Sequence, residues 1–173
     1  MIKAYLATHF FNEAGFQWTA NLAEKIRKEV PEIDLYVPQE NTDINDKSGD
    51  DSHITDVSIA NGDCAYLDEC NILIANLDGV EIDSGVSAEI GYVAGLIKSE
   101  ERHCANPKIR TIIGLYTDIR QDGSGDNHFY INLFTKGLVN REGLVVSSTD
   151  NLITILKQTV KDIYYNAGLG GCL

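Results

Sequence analysis

The chain has 173 residues, 43% of them hydrophobic, which suffices for a full core without disulfides or metal and reads most economically as one domain over 1–173. Its formal net charge is −12 at pH 7 with a pI near 4.6. Such a balance opposes polyphosphate backbones and anionic lipid surfaces, so neither nucleic acid nor membrane is an expected partner. No apolar run is long enough to span a bilayer. Met1 leads directly into Ile2-Lys-Ala-Tyr-Leu-Ala7 with no basic segment or cleavage site, so a cytoplasmic protein is expected.

Strand and helix signals then alternate. Ile2–Ala7 reads as a strand, and 14–28 as an amphipathic helix closing on Lys25, Arg27 and Lys28, cations suited to a helix C-terminus. A second strand covers 33–38. Residues 39–52 are polar and acidic, a long loop of the kind that often serves function near strand ends. A helix over 52–68 follows, with Ile54, Val57, Asn61 and Cys64 at helical spacing. Next come a buried strand over 72–77, a helix over 84–99 and a strand over 109–116. A Gly- and Asp-rich loop over 118–127 precedes a shorter apolar helix over 129–139. A fifth strand covers 143–147, and Asp150 is expected to cap a last helix reaching Tyr165, which Gly168 ends. Five strands alternating with five helices predict a flavodoxin-like, doubly wound α/β fold: a five-stranded parallel sheet with helices on both faces.

The four cysteines (Cys64, Cys70, Cys104, Cys172) form no CxxC pair and no metal-ligand spacing with histidine. They read as reduced thiols, with no metal site expected among them. His9, His53, His103 and His128 are scattered and carry no pattern of catalysis.

Chemistry concentrates after the third strand. Glu89 falls three residues after Val86 and four before Val93, at the edge of an apolar helix face and above the carboxyl end of a strand. In open α/β sheets that crevice binds ligands, and an ionised carboxylate on an apolar face is costly unless paired or used. Asp63, toward the end of the second helix, and Asp83, at the strand-to-helix turn, join it in an acidic cluster. Tyr5 lies on a first strand expected to neighbour the third. Retaining glycosyl transfer needs one carboxylate as nucleophile and a second acid for the leaving group. Phosphoryl chemistry would need basic residues beside these acids or a Walker loop, and the sequence around the acids offers neither. Two structural readings stand beside this one: Asp83 as a helix N-cap and Asp63 as a solvated surface acid.

In Tyr5, Asn61-Gly-Asp63, Asp83-Ser-Gly-Val-Ser-Ala-Glu-Ile-Gly-Tyr92 and Ile131-Asn-Leu133 the chain resembles the nucleoside 2-deoxyribosyltransferase family. The resemblance covers most of the length and implies a flavodoxin-like sheet, an activity in nucleotide salvage, and a deoxynucleoside and a free nucleobase as partners. It implies Glu89 as the nucleophile of a covalent 2-deoxyribosyl-enzyme, Asp63 as proton donor and acceptor to the base, and Tyr5 as the group orienting Glu89. The double displacement that the resemblance implies requires no metal or organic cofactor. Asp83, within the turn that includes Gly85, would hold the sugar hydroxyl end, helped by Asn132 from a neighbouring subunit. That sharing implies a homo-oligomer built from dimers, up to a hexamer. An apolar patch of Phe129, Leu133, Phe134 and Leu138 would serve its interface. Asp78-Gly79 resembles a shaping turn.

The base pocket itself has no matching pattern. Phe10 or Phe11 would suit stacking on a nucleobase, and a core phenylalanine is the plain alternative. Two rival functions remain at this stage. One is a 2-deoxynucleoside 5′-monophosphate N-glycosidase, in which a serine replaces the residue equivalent to Asp83. An aspartate there repels a dianionic phosphate and accepts from a free 5′-hydroxyl instead. The other is a non-catalytic nucleotide sensor on the same fold.

Overall fold

The computed structural model describes residues 1–42, 54–119, 131–166 and 168. Five strands, β1 (Ile2–Ala7), β2 (Ile33–Tyr36), β3 (Ile72–Asn76), β4 (Thr111–Leu115) and β5 (Gly143–Val146), pair in parallel in the order β2-β1-β3-β4-β5. Among the described residues five α-helices connect and cover them: α1 (Glu13–Glu29), α2 (Asp56–Glu69), α3 (Ser84–His103), α4 (Leu133–Glu142) and α5 (Thr149–Asn166). The predicted doubly wound α/β fold is therefore the observed one. Its strand order reverses between β1 and β3, and in open α/β sheets ligands bind above the strand ends at such a switch point. No helix among the described residues is long and apolar enough to cross a membrane.

Alternation along the strands builds two cores. Ala4, Leu6, Ile33, Leu35, Ile72, Ile74 and Ile113 turn to one face and meet Leu22 and Ile26 of α1 and Leu152, Leu156 and Val160 of α5. Tyr5, Ala7, Leu73, Ala75 and Ile112 turn to the other and meet Leu67 of α2, Val86, Ile90 and Val93 of α3, and Val139 of α4. Both faces of the central strands are buried, so β3 reads as a continuous apolar run.

Several boundaries differ from expectation, each for a local reason. β2 stops at Tyr36 because Pro38, which lacks an N–H, opens a 3₁₀ turn over Pro38–Glu40. α2 begins at Asp56, later than position 52, because Thr55 and Ser58 form a capping box. α3 runs past position 99 to His103. α4 begins at Leu133, with Asn132 as its N-cap; the expected start at Phe129 and its place in the apolar patch lie outside the described residues, as do much of the acidic 39–52 loop and the 118–127 loop. α5 is capped by Ser148, whose Oγ accepts from the Asn151 N–H at 3.2 Å, and Asp150 sits in the first turn. Gly168, at φ +71°, adopts the left-handed conformation that ends a helix, as expected after α5.

Two polar clamps fix the parts that bear the acids. Arg110, with its side chain 3% exposed, donates to the carbonyls of Leu67, Asp68 and Cys70 at the end of α2 and pairs with Glu100 of α3 at 2.9 Å. The orphan carbonyls of one helix are thereby satisfied by a cation bound to the next. Asp78 ties the ends of β3 and β4: its carboxylate accepts from the Thr117 N–H at 2.6 Å, the Asp118 N–H at 2.9 Å and the Thr117 hydroxyl at 2.5 Å. Gly79 follows at φ +133°, where a side chain would meet the Glu81 carbonyl, so the turn into α3 requires glycine.

Arg110→Ala should cost about 3 kcal/mol in urea unfolding, because it leaves three carbonyls and Glu100 without their partner. Arg110→Lys should recover only part of that loss, since an ammonium cannot reproduce the guanidinium fork. A midpoint unchanged in both variants would show that the clamp contributes nothing.

Candidate active site

Three of the predicted residues converge from three elements. Tyr5, fully buried on β1, donates its hydroxyl to Glu89 Oε1 of α3 at 2.5 Å. That length belongs to a phenol bound to a carboxylate, stronger than a neutral pair. Asp63 comes in from α2; its Oδ1 is buried and has no hydrogen-bond partner among the described residues. The register explains the geometry. Tyr5 pairs with Leu73 of β3, the strand that leads through Asp78 and Asp83 into α3. A side chain on β1 and the second turn of α3 therefore face one another across the switch point.

Burial and mutual repulsion set the protonation states. Removal from water raises the Glu89 carboxyl, the Tyr5 hydrogen bond pulls it back, and the nearby charges of Asp63 and Asp83 raise it again, to about 7. Asp63 is raised by burial, with the neighbouring Tyr5 hydroxyl acting the other way. Tyr5 is pushed far above the phenol range, first by burial and then by Glu89, so it remains a donor at every working pH. Two carboxyls held above their ordinary range beside a fixed donor suit the exchange of a proton and the delivery of a negative charge.

The other predicted residues are placed as follows. Asp83 is the N-cap of α3: its Oδ1 accepts from the Gly85 N–H at 2.8 Å and the Val86 N–H at 3.2 Å. The N-cap reading is thus realised, while Asp83 still lies close enough for its charge to act on Glu89. Gly85 keeps this turn tight, since a Cβ there would stand 3.0 Å from Asp83 Oδ1. Asn132 caps α4 by accepting from the Phe134 and Thr135 N–H groups, each at 3.0 Å. It borders an open cavity of about 520 Å³ shared with Val80, Ile82, Ser84 and Ser87. Phe11 is 81% exposed and its ring contact is with Phe10, at 4.9 Å between centroids. Among the described residues no group of His, Cys, Asp and Glu is arranged to hold a metal ion.

Sequence reasoning missed an aromatic row beside the acids. Tyr36 is the register partner of Tyr5 on the neighbouring strand, with ring centroids 5.2 Å apart. Tyr66, one turn after Asp63 on α2, stacks on Tyr36 at 3.5 Å and 13°. Asn41 donates to the Tyr36 hydroxyl at 3.0 Å. The available signal was the period-two pattern of Ile33-Asp-Leu-Tyr36, which puts Tyr36 on the face of Tyr5 once β1 and β2 are paired.

With this geometry in view, comparison with known proteins defines the class. The sequence profile of the nucleoside 2-deoxyribosyltransferase family matches residues 4–154, and the chain belongs to that family. A conserved protein from Enterococcus faecalis V583 is 35% identical, over 92% of this chain and 99% of that one, with a TM-score of 0.77. A 2-deoxyribosyltransferase from Bacillus psychrosaccharolyticus shares the fold at 15% identity, 89% and 95% coverage and TM-score 0.56. One from Leishmania mexicana does so at 17% identity, 91% and 98% coverage and TM-score 0.55. No curated protein matches the sequence.

The raised Glu89 carboxyl has a consequence for stability. The unfolded chain releases this proton near the ordinary 4.5, the folded one near about 7. The folded state therefore binds more protons in that window, and stability falls as pH rises through it. Compared with Glu89→Gln in urea melts, the wild type should lose ground between about pH 4.5 and 7 and hold a constant difference above. A difference independent of pH would contradict the raised carboxyl.

Proposed function

We propose that the protein transfers 2-deoxyribose between nucleobases by a retaining double displacement. The observation that carries this reading is the Tyr5 hydroxyl bound to Glu89 Oε1, with the unpartnered Asp63 oxygen close by. In the first step a Glu89 carboxylate oxygen attacks the anomeric carbon. The glycosidic C–N bond breaks, and Asp63 gives its proton to the departing base. In the second, a nitrogen of the incoming base attacks the same carbon, the glutamyl ester bond breaks, and the proton from that nitrogen returns to Asp63. Both steps pass through an oxocarbenium-like state, more accessible for a sugar without a 2-hydroxyl, which is why a carboxylate suffices as nucleophile.

Tyr5 fixes which Glu89 oxygen is free to attack. Asp83 accepts from the substrate 5′-hydroxyl, and its charge disfavours a 5′-phosphate at the same point. The capping bonds of Asp83 use Oδ1, which leaves Oδ2 for that contact. Asn132 completes the sugar end from a second subunit, and the exposure of Leu133 (74%) and Phe134 (76%) beside it supports an assembly built from paired subunits.

Incubation with deoxyinosine and free adenine should yield deoxyadenosine and hypoxanthine. Glu89→Ala should reduce that yield by more than about a thousandfold while the far-UV circular dichroism stays unchanged. A wild type that forms no deoxyadenosine and releases no hypoxanthine would refute the proposal.

A further inference from the structure

The aromatic row beside the carboxylates has no part in the two displacement steps, yet its construction is specific. Tyr36 lies on β2, an edge strand, in register beside Tyr5 of β1. Tyr66 covers it from α2 at a centroid separation of 3.5 Å, which leaves almost no lateral offset between the rings. Aromatic pairs prefer an offset or edge-on arrangement, so strand and helix impose this square stack. Asn41 holds the Tyr36 hydroxyl from the other side. The order of contact is Tyr66, Tyr36, Tyr5, Glu89. The charges of Asp63 and Glu89 both act on the Tyr36 hydroxyl, which burial, first, raises to about 12. Tyr36 therefore borders the space in which both acids must work.

We propose that the Tyr36–Tyr66 stack is a positioning wall that holds Tyr5 on Glu89 and keeps water from the carboxylate pair, so that the sugar passes to a nucleobase in preference to water. The inference rests on the transfer reading above. A glutamyl-deoxyribosyl ester has two fates. A base nitrogen displaces it, or a water oxygen attacks the anomeric carbon, the ester C–O bond breaks, and the water proton passes to Asp63 with release of free 2-deoxyribose. When the first base leaves, the space beside Asp63 opens. A wall of two stacked rings on that side gives a planar base an apolar face and offers water only the two phenol hydroxyls, of which that of Tyr36 is already held by Asn41. The groups facing Glu89 are Tyr5 from β1, Asp63 from α2, Asp83 from the start of α3 and, more remotely, Tyr36 from β2. Of these, only Tyr5 stabilises the charged carboxylate.

Tyr66 is 44% exposed, so Tyr66→Ala should fold while opening the wall. With deoxyinosine and adenine, the fraction of consumed nucleoside recovered as free 2-deoxyribose should rise several-fold, and Tyr66→Phe should restore the wild-type ratio. The acid limb of the pH–rate profile should move to lower pH in Tyr66→Ala as water reaches Glu89. The same change should appear in a titration of the Glu89 carboxyl carbon by NMR, which needs no turnover. Equal losses of transfer and hydrolysis, with the Glu89 titration unmoved, would overturn the inference and leave the stack a structural element. A wild type inactive on any deoxynucleoside would refute the transfer reading instead. In that event an unmoved Glu89 titration in Tyr66→Ala would overturn the wall as well, and a lowered one would retain its water-excluding part.

Discussion

One hydrogen bond, from a fully buried phenol to a half-buried carboxylate, governs the design of this protein. Burying Tyr5 under the helix layer costs its hydroxyl every water contact, and burying Glu89 costs a charge its solvation. Each group compensates the other through this bond, with Asp63 as the further acid beside the Tyr5 hydroxyl. The compensation is incomplete: burial outweighs the Tyr5 hydrogen bond, Asp63 and Asp83 add like charge, and Glu89 stays raised to about 7. The proposed displacement at carbon would draw on a carboxylate that is under-solvated by burial and oriented by the Tyr5 donor.

The fold serves that contact. Parallel pairing of β1 with β3 sets Tyr5 opposite the strand that launches α3, and the Asp78 clamp fixes the turn through which the chain gets there. Arg110 locks the end of α2, which carries Asp63, to α3, which carries Glu89. A change in that clamp would shift both acids relative to one another, although Arg110 meets α2 about one turn beyond Asp63 and α3 far from Glu89. Stability and site geometry are therefore coupled through a side chain that takes no part in chemistry.

Much of this was legible in the residues because the physics is local. The apolar run 72–77 bounded by Asp78-Gly79, and the off-pattern Glu89 in an otherwise amphipathic helix, need no tertiary information to read. The alternation of strands and helices gave the sheet class for the same reason. Tyr36 was legible only as a face of β2, and its stacking on Tyr66 was not: that contact depends on β2 lying beside β1 and on α2 crossing that edge, between segments about thirty residues apart. Asp83 and Asn132 show a different limit. Both are N-caps, a role their residue types predict at any helix start, so their presence there neither demands nor opposes a second role at the substrate. Phe11 was a candidate by type alone, and its 81% exposure reflects a loop position that composition does not reveal.

The proposed transfer requires a covalent bond between Glu89 and the sugar. The most direct test is a rapid acid quench of the wild type with a deoxynucleoside and no acceptor base, followed by peptide mass spectrometry. The peptide containing Glu89 should gain the mass of one dehydrated 2-deoxyribose, and Tyr5→Phe should lower the amount trapped. Turnover with no adduct on that peptide, or an adduct on the peptide containing Asp63 instead, would contradict it.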